Sequence, residues 1–288
     1  FTVLGEARFN NGSIFNWGLS AELIGAGTIN VLSGSTFSIT GNSNHNFKDG
    51  IVLNNYTTCD WQDNGHMTWS GDQISFNNYG ILNISDGNYI SNDGVTNSSF
   101  NNMIGGIINV NATGTASLSD NGFLFNNHGT INVLSGVFNM FGSDGVHDGV
   151  YNISSGAEMG GTALINFTGT EITNNGIIGI SNLVMAGTSL QTINGNGQIS
   201  NFKIDNSAGV TITGEQSFTT SLDLLTGKLN AGPGSKVITN IPITSASVNS
   251  YVNGQLQYNL TDGTNAVVFN IGDNNSYTPV TVTINDVV

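Results

Sequence analysis

The sequence predicts an all-β fold, a right-handed parallel β-helix with about 20–30 residues per coil, and three observations carry that reading. The first is a recurring phrase in which glycine opens a short strand bearing an asparagine, as in Gly27-Thr28-Ile29-Asn30-Val31 and Gly106-Ile107-Ile108-Asn109-Val110. Successive copies open at Gly27, Gly50, Gly80, Gly106, Gly129, Gly149, Gly176 and Gly197, at intervals of 23, 30, 26, 23, 20, 27 and 21 residues. The second is period-two alternation, with Ile29 and Val31 on one side of a strand and Thr28 and Asn30 on the other, the pattern of a half-buried strand. The third is composition: 39 glycines, 3 prolines and only 8% charged residues leave few helix-favouring surfaces.

Three short strands joined by tight turns fill each period. Trp17 is placed to cap the open N-terminal end of the core, which every solenoid must cover. Ahead of the leading glycine a second phrase recurs, Phe76-Asn77-Asn78-Tyr79, Phe100-Asn101-Asn102-Met103 and Phe125-Asn126-Asn127-His128. After the asparagine strand comes a turn and a third strand, as in Ser135-Gly136-Val137-Phe138-Asn139-Met140. Asparagine and glycine both tolerate positive φ and suit the corners. Asparagine makes up roughly one residue in seven, and stacked amides hydrogen-bond along an axis as in cross-β ladders. The long interval from Gly50 to Gly80 reads as an insertion over residues 58–73 that projects as a loop. Residues 1–215 form the parallel β-helix; residues 216–288, where the repeat loosens and Pro233, Pro242 and Pro279 occur, form a β-rich C-terminal module or a continuation of the solenoid.

A formal charge of -14, with five basic residues scattered over the chain, excludes nucleic acid and anionic membrane surfaces as partners. No apolar run is long enough to insert in a membrane as a helix. The chain reads as a mature or excised piece with its export signal removed. Cys59 is alone, so no intrachain disulfide framework or cysteine-rich metal site exists. No cofactor is required; calcium is the one candidate, held by Asp144 and Asp148 or by Asp60 and Asp63, although neither run has the spacing of a calcium loop. His128 and His147 are the only histidine pair near one-coil separation, and a metal is not assigned to them.

Candidate ligand-binding residues are Trp61, Trp69, Asp60 and Asp63 in the 58–73 segment, where the two indoles would stack on a sugar ring or anchor a partner. The competing reading has both rings closing an apolar gap inside an enlarged coil. No catalytic residues stand out, because carboxylates occur singly on turns; a neutral-glycan hydrolase or lyase is the enzyme alternative, needing two carboxylates from different coils. An ice-binding face, suggested by Thr211-Ile212-Thr213 and Thr281-Val282-Thr283, would need such pairs in register over many coils.

The last part of the chain carries Leu225-Thr226-Gly227-Lys228-Leu229-Asn230, then Tyr251-Val252-Asn253-Gly254-Gln255-Leu256, then Phe269-Asn270-Ile271-Gly272-Asp273-Asn274-Asn275-Ser276-Tyr277-Thr278-Pro279-Val280. This order resembles a module of large secreted surface proteins of Bacteroidota, "LTxGxLN", "YVxGxL" and "FPxGDxxxYxPV", often upstream of a type IX secretion sorting domain. Asn270 stands where that family commonly has proline. The resemblance implies an exported, adhesin-like β-helix protein and assigns no catalytic residues. The expected function is therefore a non-enzymatic extracellular stalk or filament-like unit whose polar Asn/Thr/Ser face meets a glycan or protein on another surface, or copies of itself.

Overall fold

The computed structural model describes residues 1–288 apart from 19, 63, 93–96, 119–122, 143–144, 264–265 and 285–288. The described strands stack in parallel as a β-solenoid of about 11 turns, without helix. Three ladders run along it. The first begins with Glu6–Phe9, Thr28–Val31, Val52–Asn55, Ser75–Asn78, Ser98–Asn102 and Phe123–Asn127. It continues through His147 and Leu164–Phe167 to Ile243–Thr244. The second starts at Ile14–Trp17, Thr36–Ile39, Thr58–Trp61 and Ile81–Ile84 and ends at Ile271–Gly272. The third starts at Glu22–Ile24, His45–Lys48, His66–Ser70 and Tyr89–Asn92 and ends at Leu256–Tyr258.

Along the three ladders alternate residues of most strands point inward, and in register they build one core. Ile29, Leu53, Phe76 and Phe100 line the first ladder, with the Phe76 and Phe100 rings stacked at 4.9 Å and 2°. Leu82, Ile108, Ile131 and Tyr151 line the second, and Phe47, Met67, Ile90, Ala116 and Phe138 the third. Trp17 lies buried in the first coil, its Nε1 donating to Ala21 O at 2.9 Å and its ring edge-on to Phe47.

The leading glycines step from one ladder to the next. Gly27 and Gly50 open first-ladder strands, Gly80, Gly106, Gly129 and Gly149 open second-ladder strands, and Gly176 and Gly197 open third-ladder strands. The long interval after Gly50 is thus one coil plus one side of the triangle. Residues 58–73 hold two regular strands, Thr58–Trp61 and His66–Ser70, so the expected projecting insertion is corrected to an ordinary coil. Among the leading glycines, Gly50 takes the positive φ of 79° that glycine tolerates at corners. Gly129 takes a negative or extended φ, and glycine is required there because a Cβ would stand 2.2 Å from Gly106 O. The corner brings successive coils too close for any side chain.

Beside those glycines runs a buried amide ladder. Asn55 donates to Asn78 Oδ1 at 2.8 Å, Asn78 to Asn102 at 2.9 Å, and Asn102 to Asn127 at 2.8 Å. Each Nδ2 also donates to a second-ladder carbonyl one coil on, that of Ile81, Ile107, Thr130 or Val150. With two N–H groups so engaged, the buried carboxamides of Asn55, Asn78 and Asn102 offset their own desolvation. The next rung is His147, bridged to Asn127 and Phe167, with Nδ1 2.6 Å from the Tyr151 hydroxyl. Burial pushes the His147 pKa down to about 4 and the Tyr151 hydroxyl up.

Past residue 216 the three ladders continue, and one antiparallel strand pair among the described residues, Ala266–Phe269 with Val280–Thr283, lies at the C-terminal end. Coils run from 24 residues between Asn30 and Asn54 down to 19 between Asn194 and Thr213, and return to 23 between Leu229 and Val252.

Candidate functional site

The most ordered surface lies on the outside of the first two ladders. On the first, Asn30 donates to Glu6 at 2.6 Å, Asn54 to Asn30 at 2.8 Å, Asn77 to Asn54 at 2.8 Å, Asn101 to Asn77 at 2.7 Å and Asn126 to Asn101 at 2.7 Å. The ends fix the polarity of this row. A carboxylate only accepts, so Asn30 must present its NH2 to Glu6, and at the other end Val146 N–H donates to Asn126 Oδ1. A second row on the second ladder follows the same rule: Asn83 donates to Asp60 at 2.7 Å, and Asn109, Asn132 and Asn152 follow at 2.8–2.9 Å. Both outer rows donate toward the N-terminal end, whereas the buried ladder donates toward the C-terminal end.

Between the two outer rows the corner carries Tyr56, Tyr79, Met103 and His128, one above another, their backbones linked coil to coil. The Tyr56 and Tyr79 rings stack at 4.6 Å and 10° and are 38% and 37% exposed. Stacked along the axis, they turn their edges and hydroxyls to solvent. His128 Nδ1 lies 2.7 Å from Asp148 Oδ1, closing the strip at its C-terminal end. From Ser75 to Val133 the outward side chains of these two ladders are Ser, Asn, Ile, Leu and Thr, with no charge among them.

The residues expected to bind a ligand have other employment. Trp61 and Trp69 are 1% and 0% exposed, so neither ring offers a face to a sugar or partner, and the stacking expectation is corrected. Trp61 occupies the inward position that Ile84 takes one coil later, and its Nε1 donates to Gly65 O at 3.1 Å. Asp60 starts the second outer amide row. Asp148 pairs with His128, away from any cluster of acids or histidines with ligand geometry among the described residues. Asp63 and Asp144 lie outside the described residues. His128 and His147, one residue out of phase, point to opposite sides of the wall: His147 is buried, while His128 stands on the surface.

Other carboxylates serve the scaffold as well. The Arg8 and Asn30 side chains hold the Glu6 carboxyl below its usual range, Lys48 does the same for Glu22, and Thr113 with Gly114 N–H for Asp86. Thr211 and Thr213 belong to the second ladder and Thr281 and Thr283 to the terminal hairpin, so these pairs never share a face.

The three C-terminal motif segments converge. Lys228 donates to Asn274 O at 2.8 Å and lies 4.8 Å over the Tyr251 ring. The Tyr251 hydroxyl donates to Asp273 O, Tyr277 stacks on Tyr251 at 5.4 Å, and the Tyr277 hydroxyl donates to Asn270 Oδ1 at 2.6 Å. The Asp273 carboxylate accepts the N–H groups of Asn275 and Ser276, which hold its pKa down. This cluster is a turn folded against the last coils, and the sequence signal for it was the order of the segments. The stacked tyrosine corner had no such signal, since Tyr56 and Tyr79 meet only once the register is known.

Compared with protein-family models, curated proteins and solved structures, the chain matches none.

Proposed function

We propose that this chain is the rigid unit of an exported, extracellular protein with a structural or adhesive role, without catalytic activity. The observation that supports this most is the stack of three parallel ladders, joined through His147 on the first, under an in-register outer face that carries no charge from Ser75 to Val133 on the first two ladders. At roughly 4.8 Å per coil, about 11 turns make a rod near 50 Å long that holds its side chains at fixed intervals. The likeness of its last segments to Bacteroidota surface modules supports export, by a type IX route. Its partners are a glycan or a protein on another surface, or copies of the chain itself. The carboxylates of Glu6, Glu22, Asp60, Asp86, Asp148 and Asp273, engaged with amides, N–H groups, a hydroxyl and cations, favour binding over hydrolysis or lysis of a glycan.

The test measures retention of labelled chain on intact cell surfaces together with release of reducing ends from a panel of polysaccharides. Retention without release is expected. Release of sugar, abolished by substituting a pair of carboxylates, would replace this reading with that of a glycan-active enzyme.

A further inference from the structure

We infer that the strip formed by the outer face of the first ladder and the adjoining tyrosine corner is a binding track for a linear, uncharged polysaccharide lying parallel to the solenoid axis; this rests on the adhesive reading above. The first support is the valence of the amide row. Asn54 and Asn77 each spend one N–H and one oxygen lone pair along the axis. A carboxamide has two of each, so one donor and one acceptor per coil face outward. Their repeat is the strand spacing, roughly 4.8 Å. An extended β-linked hexose chain advances by a comparable step per residue and presents hydroxyls, which both donate and accept.

The second support is geometry. Asn54 and Asn77 sit two residues before Tyr56 and Tyr79, with a buried asparagine between, so amide and phenol rows run side by side. The edge-on rings add hydroxyls rather than an aromatic platform, which suits lateral hydrogen bonding along a chain. Rigidity favours such a site, because the amides are already held in place and lose little freedom on binding.

The third support is charge. On a chain of formal charge -14, the outward side chains of these two ladders carry no acid from Ser75 to Val133; Glu6 and Asp148 stand at the two ends of the row, Asp60 on the adjoining ladder, and Asp49 and Asp72 at the corner that leads into the first ladder. Between them Val52, Ser75, Ser99 and Leu124 line the row beside the asparagines. An acidic polysaccharide would meet a chain of its own sign whose one cation in the row, Arg8 beside Asn30, is already paired with Glu6, and a second copy would bring equal net charge. A neutral glycan meets neither penalty.

Affinity electrophoresis in gels containing galactomannan, hydroxyethyl cellulose, alginate or polygalacturonate tests this, on the wild type and two double variants. Ser75→Lys/Ser99→Lys raises two long side chains over the track. Thr68→Lys/Ser91→Lys makes the equivalent change on the third ladder, where these residues pair. Retardation by a neutral polysaccharide, insensitive to salt, is expected for the wild type and the third-ladder variant, with about a tenfold weaker effect for the first-ladder variant, the loss of one or two hydrogen bonds. Indifference of the wild type to every neutral polysaccharide, or equal binding by both variants, would overturn the track. So would sedimentation showing a dimer that Ser75→Lys/Ser99→Lys dissolves, which would make a second copy the occupant. Cell-surface retention measured on the same proteins separates the outcomes: retained attachment without glycan binding removes the track and leaves the adhesive reading standing.

Discussion

The first six coils and the later ones close the same corner in different ways. In the early coils Asn55, Asn78, Asn102 and Asn127 form one chain of amides, each rung leaning on the next. Beyond His147 the corner is closed by separate plugs. Gln191 donates to Phe167 O and Gly169 O and accepts from Gly187 N–H and Asn206. On the neighbouring corner Gln216 and Asn174 exchange bonds with one another and with Gly195 O. The longer glutamine side chain reaches across coils that have shortened and lost their asparagine phase. A ladder spreads a perturbation along the axis; a plug contains it.

The largest expected effect follows from cutting the ladder. Asn102→Leu leaves Asn127 Oδ1 and the Thr130 carbonyl buried without their donor, and removes the acceptor of Asn78. At about 1–3 kcal/mol for each abandoned group, urea unfolding should show a loss of about 4 kcal/mol. The sharper form is a double-mutant cycle. Asn78 and Asn102 should couple by about 1 kcal/mol or more, whereas Gln191 and Gln216, which share no bond, should add within about 0.5 kcal/mol.

His147, where the ladder ends, makes stability depend on pH. Its pKa falls from 6.5 in the unfolded chain to about 4 when folded, chiefly through burial, with Asp148 opposing and His128 adding to the fall. The unfolded chain therefore takes up this proton first. The contribution is whole above pH 6.5, shrinks as pH falls toward 4, and amounts to about 3 kcal/mol of lost stability below that. His147→Asn should remove this dependence and restore a fifth rung, visible as a flatter profile of unfolding midpoint against pH.

Smaller effects are expected where side chains are wet. Lys228→Met loses the contact with Tyr251 and the bond to Asn274 O, and should cost about 1 kcal/mol, with increased hydrogen exchange confined to the C-terminal turn. Asn101→Ala in the outer row should cost less than about 1 kcal/mol, since water replaces what the row supplied. An outer-row loss as large as that of Asn102→Leu would contradict the distinction between the two rows.

The solenoid and its strand alternation were legible because inward residues recur at period two and coils recur at a near-constant interval. The pairing was less legible. An interval of 30 residues between Gly50 and Gly80 reads equally as an enlarged coil or as a coil plus one side, and only the register of Thr58–Trp61 against Ile81–Ile84 decides. Parity was the overlooked signal for the tryptophans, since aligning Cys59-Asp60-Trp61 with Leu82-Asn83-Ile84 puts Trp61 inward. His147 concealed its role because the phrase Asn126-Asn127-His128 becomes Val146-His147-Asp148 one coil later, with the amide gone. The tyrosine strip depends on contacts between residues 23 apart, which no local pattern records.

The most direct test of the account is the set of interstrand backbone NOEs for the first ladder. Parallel, in-register stacking predicts amide and α-proton contacts that place Phe76 beside Leu53 on one flank and Phe100 on the other, with Phe125 beyond Phe100. Contacts running in opposite directions along these segments, as between antiparallel neighbours, would contradict it.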